Sequence, residues 1–166
     1  MENEKAQHSL APLKVAEYRY FIIGRFFYIM ALRMVATVVA YKLYQLTRSS
    51  FSIGLVGLSE FIPVFLLALY SGYIIDKSDK RKMLVSGVFS YSLCVLFLIL
   101  VTSPYVEENF STISRQLSFY VIIFFSGIIR AFVGPTTHAI IAQLVPRNIL
   151  HLAANISSST WLTASI

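Results

Sequence analysis

Three charged side chains stand inside long apolar runs of this sequence, where ionisable groups are uncommon. They are Arg33, Glu60 and Arg130, and each lies near the middle of a run long enough to cross a bilayer. An ionisable side chain at that depth costs at least about 2.5–3.5 kcal/mol. Such groups therefore either pair with one another or line a water-filled pathway, and lining a pathway explains all three together.

Glu60 is the only acidic residue within any predicted span, so it is the candidate for a group that takes up and releases a proton. Its partner could be Arg33 or Arg130, and a pair that only locks the helices together is equally compatible with the sequence. Arg25 and Lys42 lie closer to the ends of their helix. Because long basic side chains can reach the interface from there, we interpret them as anchors.

A second feature with possible chemistry is a highly charged stretch, which places six charged residues at the seven positions 76–82 between two apolar runs. Short loops rich in Lys and Arg lie on the cytoplasmic side of a membrane. We therefore expect a multi-pass protein of the cell membrane with a cytoplasmic N-terminus. The basic residues on that side would be Lys5, Lys14, Arg19, Lys77, Lys80, Arg81, Lys82 and Arg147, against Arg48 and Arg115 outside.

The elements that must position these groups are transmembrane helices. Apolar residues make up 57% of the 166 residues and charged ones only 13%, which indicates an all-α polytopic protein whose main partner is the lipid bilayer. A polar tail (1–18) would precede a transmembrane bundle (19–166). The predicted helices cover about 20–46, 51–75, 83–103 and 117–145, with the start of a fifth at 150–166.

Several other functions are not expected from this composition. The net charge of +6 comes from basic residues at the ends of apolar runs and not from one tract, so we predict no nucleic-acid partner. The single cysteine, Cys94, lies within an apolar run, which leaves no Cys-based metal site. With no metal-ligand cluster, nucleophile elbow or phosphate loop in the sequence, we predict no enzyme, no metal and no cofactor.

The charged stretch resembles the signature loop of the major facilitator superfamily, which usually reads G-x-x-x-D-[RK]-x-G-[RK]-[RK] and joins helices two and three. Asp79 departs from that pattern, because the family commonly has glycine there. The resemblance implies a cytoplasmic gate in which Asp76 pairs with a helix of the second half of the fold. The matching residues are Gly72, Asp76, Lys77, Lys80 and Arg81.

A second, independent resemblance lies in the fourth predicted helix. Gly127, Arg130, Gly134 and Pro135 look like helix four of the multidrug and siderophore exporter branch, and Arg130 occupies the arginine position associated there with proton coupling. The first helical hairpin is similar to the same branch.

Together these resemblances imply four complete transmembrane helices and the start of a fifth. Because the family has twelve spans in two halves, we interpret the chain as an N-terminal fragment whose further partner is the missing C-terminal half. The implied function is a secondary active transporter that exports a small-molecule substrate by alternating access in exchange for protons. The alternative is a non-transporting membrane assembly or interaction protein, or an inactive fragment.

Overall fold

The computed structural model describes residues 11–165, which are predominantly helical. One-turn 3-10 helices precede the first and last α-helices. The six α-helices are α1 (Ala16–Thr47), α2 (Ser50–Lys77), α3 (Lys80–Val101), α4 (Pro104–Asn109), α5 (Thr112–Leu144) and α6 (Leu150–Ser165). Helices α1, α2, α3 and α5 are long and apolar enough to cross a membrane, which confirms the all-α polytopic fold.

The outward faces of these four helices are apolar. Leu69 of α2, for example, is 94% exposed, and in the most apolar window of α3 only 6% of the residues are buried inside the protein. A soluble protein rarely exposes continuous apolar surface on this scale. Lipid is the solvent that these faces match, since hydrocarbon is as apolar as the side chains themselves.

The link between α1 and α2 is very short, because only Arg48 and Ser49 lie between the two helices. Arg48 takes a left-handed conformation with a φ of 52°, and its N–H donates to the carbonyl of Tyr44 at 2.8 Å. This bond satisfies a carbonyl at the helix end, as C-terminal caps commonly do. The chain thus reverses within two residues, and α1 and α2 are joined in a tight hairpin.

The segment after α3, whose polarity predicts an external loop, contains the short helix α4. Pro104 stands in the first turn of α4, a position that suits it because its missing N–H would have no helical partner. Helix α5 then begins at Thr112, five residues before the predicted start. The Ser111 hydroxyl accepts the N–H of Ser114 at 3.2 Å, and this capping bond allows polar residues to form the first turn.

The helices are organised in two compact units. Among the described residues, the first combines 11–35 with 138–165. In its core, the Tyr18 hydroxyl donates to the carbonyl of Ala153 at 2.7 Å and so joins α1 to α6. The buried apolar residues around this bond are Tyr18, Ile22, Ile141, Val145 and Ala153.

The second unit is Ala36–Thr137. Within it, α3 meets α5 where Gly87 lies against the Val133 side chain, and a methyl group at Gly87 would collide with Val133 Cγ2. Near the start of α2, the Tyr120 hydroxyl donates to the carbonyl of Ser52 at 3.2 Å. These contacts fix the depth of α2 and α3 against α5, which carries Arg130.

Candidate functional site

Two of the three intramembrane charges form an ion pair. Arg130 Nη1 of α5 contacts Glu60 Oε1 of α2. The Glu60 side chain is 28% exposed and that of Arg130 is 42% exposed, so neither is sealed in the protein interior. Charges at this depth avoid lipid and face other helices or water. Of the two partners that the sequence left open for Glu60, Arg130 is the one that lies within the same compact unit and contacts it.

A close approach of two helices brings this pair together. Gly127 of α5 is buried, and a Cβ atom built there would lie 2.6 Å from the Glu60 carbonyl oxygen and 2.6 Å from Cγ of Pro63. Only glycine leaves room for α2 at this point. Because Gly127 precedes Arg130 by three residues, both lie on the same side of α5. The glycine therefore sets the distance across which Arg130 reaches Glu60.

Arg33, the third intramembrane charge, packs on an aromatic ring. Its guanidinium carbon lies 5.4 Å from the ring centre of Trp161 in α6, within the range of a cation–π interaction. One residue of the same helix, Ser157, is buried and accepts a hydrogen bond from Arg25. Arg25 and Arg33 of α1 thus contact two residues of α6. These two residues, Ser157 and Trp161, are four positions apart and therefore lie on one face of that helix.

These α6 partners were missed by the sequence analysis. The sequence indicates an interfacial anchor for Arg25, and it assigns no functional role to Ser157 or Trp161. Trp161 is the only tryptophan of the chain, and its separation of four residues from Ser157 was the available signal. Recognising that signal required knowing that α1 and α6 are neighbours, which no local pattern provides.

The charged stretch is divided between two helix ends and a two-residue link. Asp76 and Lys77 end α2, only Ser78 and Asp79 lie between the helices, and α3 starts at Lys80. The Asp79 carboxylate accepts the backbone N–H groups of the second and third residues after it, at 3.0 and 3.2 Å. Asp79 is therefore the N-cap of α3, which explains why an acidic residue is accommodated where the resembling pattern has glycine.

The two charged residues at the C-terminal end of α2 differ in how well they suit the helix dipole. Lys77 is favourable at the C-terminus of α2, where the macrodipole is negative, and it also lies 4.2 Å from the ring centre of Tyr73. Asp76 is exposed in the same last turn, where the dipole disfavours an anion. Asp76 consequently contributes nothing favourable to its own helix end. Gly72, one turn earlier, has no neighbouring atom within 4 Å of a built Cβ.

The remaining predicted residues of α5 lie apart from the ion pair. Gly134 and Pro135 are exposed, and Pro135 stands inside the helix. A Cβ at Gly134 would meet nothing within 4 Å, unlike one at Gly127. The two glycines of the predicted helix-four motif therefore have different environments, and only Gly127 lies at the contact between two helices.

Comparison with known proteins identifies one family. The family model described as transmembrane secretion effector matches residues 7–164, which is nearly the whole chain. Comparison with curated proteins and with solved structures gave no match.

Proposed function

Since the chain belongs to the transmembrane secretion effector family of the major facilitator superfamily, we propose that it exports a small organic molecule by alternating access, driven by protons. The assignment to the multidrug and siderophore exporter branch rests on the sequence of residues 127–135. The observation that carries the proposal is the ion pair between Glu60 and Arg130, which joins two membrane-spanning helices.

Proton uptake by Glu60 would change the state of this pair. The carboxylate becomes a neutral carboxylic acid and loses its charge attraction to Arg130, so the contact that joins α2 to α5 is weakened. A substrate group that carries a positive charge or donates hydrogen bonds would bind the Glu60 carboxylate only while that carboxylate is deprotonated. Proton binding and substrate binding at Glu60 would therefore exclude each other, as antiport requires.

Arg33 has a supporting role in this proposal. Its contact with the Trp161 ring offsets part of the cost of a cation in the membrane. Arg33 would line the pathway and adjust its electrostatic potential. It would also favour substrates that carry hydrogen-bond acceptors.

The loop between α2 and α3 would act as a gate on the cytoplasmic side, with the N-terminus also cytoplasmic. Asp76 carries the argument, because its position at the C-terminus of α2 is unfavourable for that helix. A contact with a cationic group of another part of the transporter would supply the missing stabilisation in the closed state. Lys77, Lys80 and Arg81 would set the orientation of the loop and bind anionic groups at the membrane surface.

The coupling can be tested with purified protein in proteoliposomes. The transport of two probes, ethidium and 2,3-dihydroxybenzoate, would be measured with and without an imposed pH gradient. We expect transport to respond to the gradient, and the Glu60→Gln substitution to reduce that response by about 100-fold or more, as loss of an essential proton-transfer group does. Glu108→Gln is the matched control, because Glu108 is exposed on the short helix α4.

Two results would contradict the mechanism. One is transport that ignores the pH gradient in the unmodified protein. The other is coupling that survives in the Glu60→Gln variant, which would leave the ion pair with a purely structural role in joining α2 to α5.

A further inference from the structure

A polar cavity lies at the end of α3 opposite the charged loop. It has a volume of about 170 Å³ and is formed where α1, α3, α4 and α5 meet, within the unit Ala36–Thr137. We call it the α4 cavity. The polar side chains that line it are Lys42, Gln45, Thr102, Glu107 and Arg115.

Arg115 is the most informative of these residues. Its side chain is only 14% exposed, and Nη2 donates to Glu107 Oε1 at 3.2 Å. The Nε atom of Arg115 is buried and has no hydrogen-bond partner among residues 11–165. A buried donor without an acceptor is destabilising by about 1–3 kcal/mol, and by more when it belongs to a charged group. The Arg115 side chain thus borders the cavity and uses only part of its hydrogen-bonding capacity in the contact with Glu107.

The charges around the cavity favour an anion. Lys42 and Arg115 contribute two positive charges, and Glu107 contributes one negative charge. Glu107 is 64% exposed, so its charge is screened more strongly than that of the partly buried Arg115. No carboxylate in the described part of the chain forms an ion pair with Lys42, which is exposed. One positive charge thus remains without compensation.

The size of the cavity restricts the ligand. A water molecule needs about 10–15 Å³ of such volume, whereas drug-sized ligands occupy pockets of about 300–1,000 Å³. The α4 cavity lies between these limits and is suited to a small polyatomic anion. Arginine donors match the geometry of phosphate oxygens, and lysine binds phosphate as a point charge.

From these observations we propose that the α4 cavity binds a phosphate group, with Arg115 as the directional donor and Lys42 as the second charge. Because α1 and α3 end here and α5 begins here, the cavity lies at the level of the lipid headgroups. The phosphate could belong to an anionic lipid or be a free ion in the adjoining water. The site is separate from the Glu60–Arg130 pair and does not depend on the proposed transport cycle.

The test uses the full chain purified in detergent and freed of lipid. Native mass spectrometry would compare binding of phosphatidylglycerol with that of phosphatidylcholine of the same acyl chains. Thermal unfolding would be measured with sodium phosphate against sodium chloride at equal ionic strength. We expect Arg115→Gln and Lys42→Gln each to weaken phosphate or phosphatidylglycerol binding about tenfold, the effect of one lost charge-assisted hydrogen bond. Glu107→Gln should strengthen it, because a competing anion is removed.

The outcomes separate the two sources of phosphate. A preference for phosphatidylglycerol that depends on Arg115, with no effect of the free ion, identifies a lipid headgroup. Stabilisation by sodium phosphate that depends on Arg115 identifies the free ion. The proposal is overturned if neither ligand responds to the Arg115 and Lys42 substitutions, or if Arg147→Gln, in the 3-10 helix before α6, has the same effect. The opposite sign expected for Glu107→Gln distinguishes binding from a general loss of folding.

Discussion

Replacing Gly127 by alanine is the most direct test of the packing that supports the Glu60–Arg130 pair. The added Cβ would lie 2.6 Å from the Glu60 carbonyl oxygen and from Cγ of Pro63, whereas ordinary van der Waals contact begins at 3.4 Å. Neither neighbour can yield alone, because one is held in the helical backbone and the other in a proline ring. Helices α2 and α5 must therefore move apart by most of an ångström.

The expected magnitude follows from two opposing terms. Overpacking of a close contact costs about 1–3 kcal/mol. Alanine is favoured over glycine within a helix by about 1 kcal/mol. The same propensity gain applies to Gly57→Ala in α2, where a Cβ would meet no atom within 4 Å. The Gly127→Ala variant should thus be less stable than the Gly57→Ala control by about 1–3 kcal/mol, and the propensity term cancels in this comparison.

The measurement is reversible unfolding in mixed detergent micelles, followed by circular dichroism for the three proteins under identical conditions. Gly127→Ala should also lower the pH-gradient response in proteoliposomes, because separating α2 from α5 pulls Arg130 away from Glu60. If the two alanine variants have equal stability within about 0.5 kcal/mol, the normal range for substitutions without a structural effect, the close approach does not exist as described. Gly127 would then have no special role in forming the ion pair.

Further predictions concern other helix contacts. Gly87→Ala should destabilise the protein in the same unfolding assay because of the Val133 methyl group, and adding Val133→Ala should restore stability, whereas purely additive effects would refute a direct contact. Asp79→Ala should reduce stability by about 1 kcal/mol through loss of the α3 N-cap, while Asp79→Asn, which keeps a side-chain oxygen acceptor, should cost much less; equal losses would mean that the bonds to the side-chain oxygen do not contribute. Tyr18→Phe removes the donor to the Ala153 carbonyl and should cost about 1–3 kcal/mol, since a buried acceptor loses its partner; a neutral effect would indicate that water or another donor replaces the hydroxyl.

Much of the fold could be predicted because it depends on local composition. A run of about 20 apolar residues must form a helix in hydrocarbon, where every backbone polar group needs an internal partner. The spans α1, α2, α3 and α5 follow from that requirement. Their exact ends could not be predicted in the same way, because they depend on capping. Asp79 and Pro104 extend helical structure into segments whose polarity alone indicated loops.

The candidate site was predicted in its components but not in its geometry. The charges at residues 33, 60 and 130 are conspicuous in apolar surroundings, and their cost in a membrane is a property of each residue by itself. The sequence could not decide which arginine pairs with Glu60, because that choice depends on the rotation and depth of two helices relative to each other. These quantities are set by contacts such as that of Gly127 with α2.

The amino-acid pattern was sufficient to predict a helical membrane protein of the major facilitator type, with charges in its spans and a charged loop between its second and third helices. Three contacts became known only from the folded structure: Arg130 with Glu60, Arg33 with the Trp161 ring, and Arg115 with a polar cavity. The physical reason is that spanning a bilayer depends on local hydrophobicity, whereas pairing depends on the packing of residues far apart in the chain.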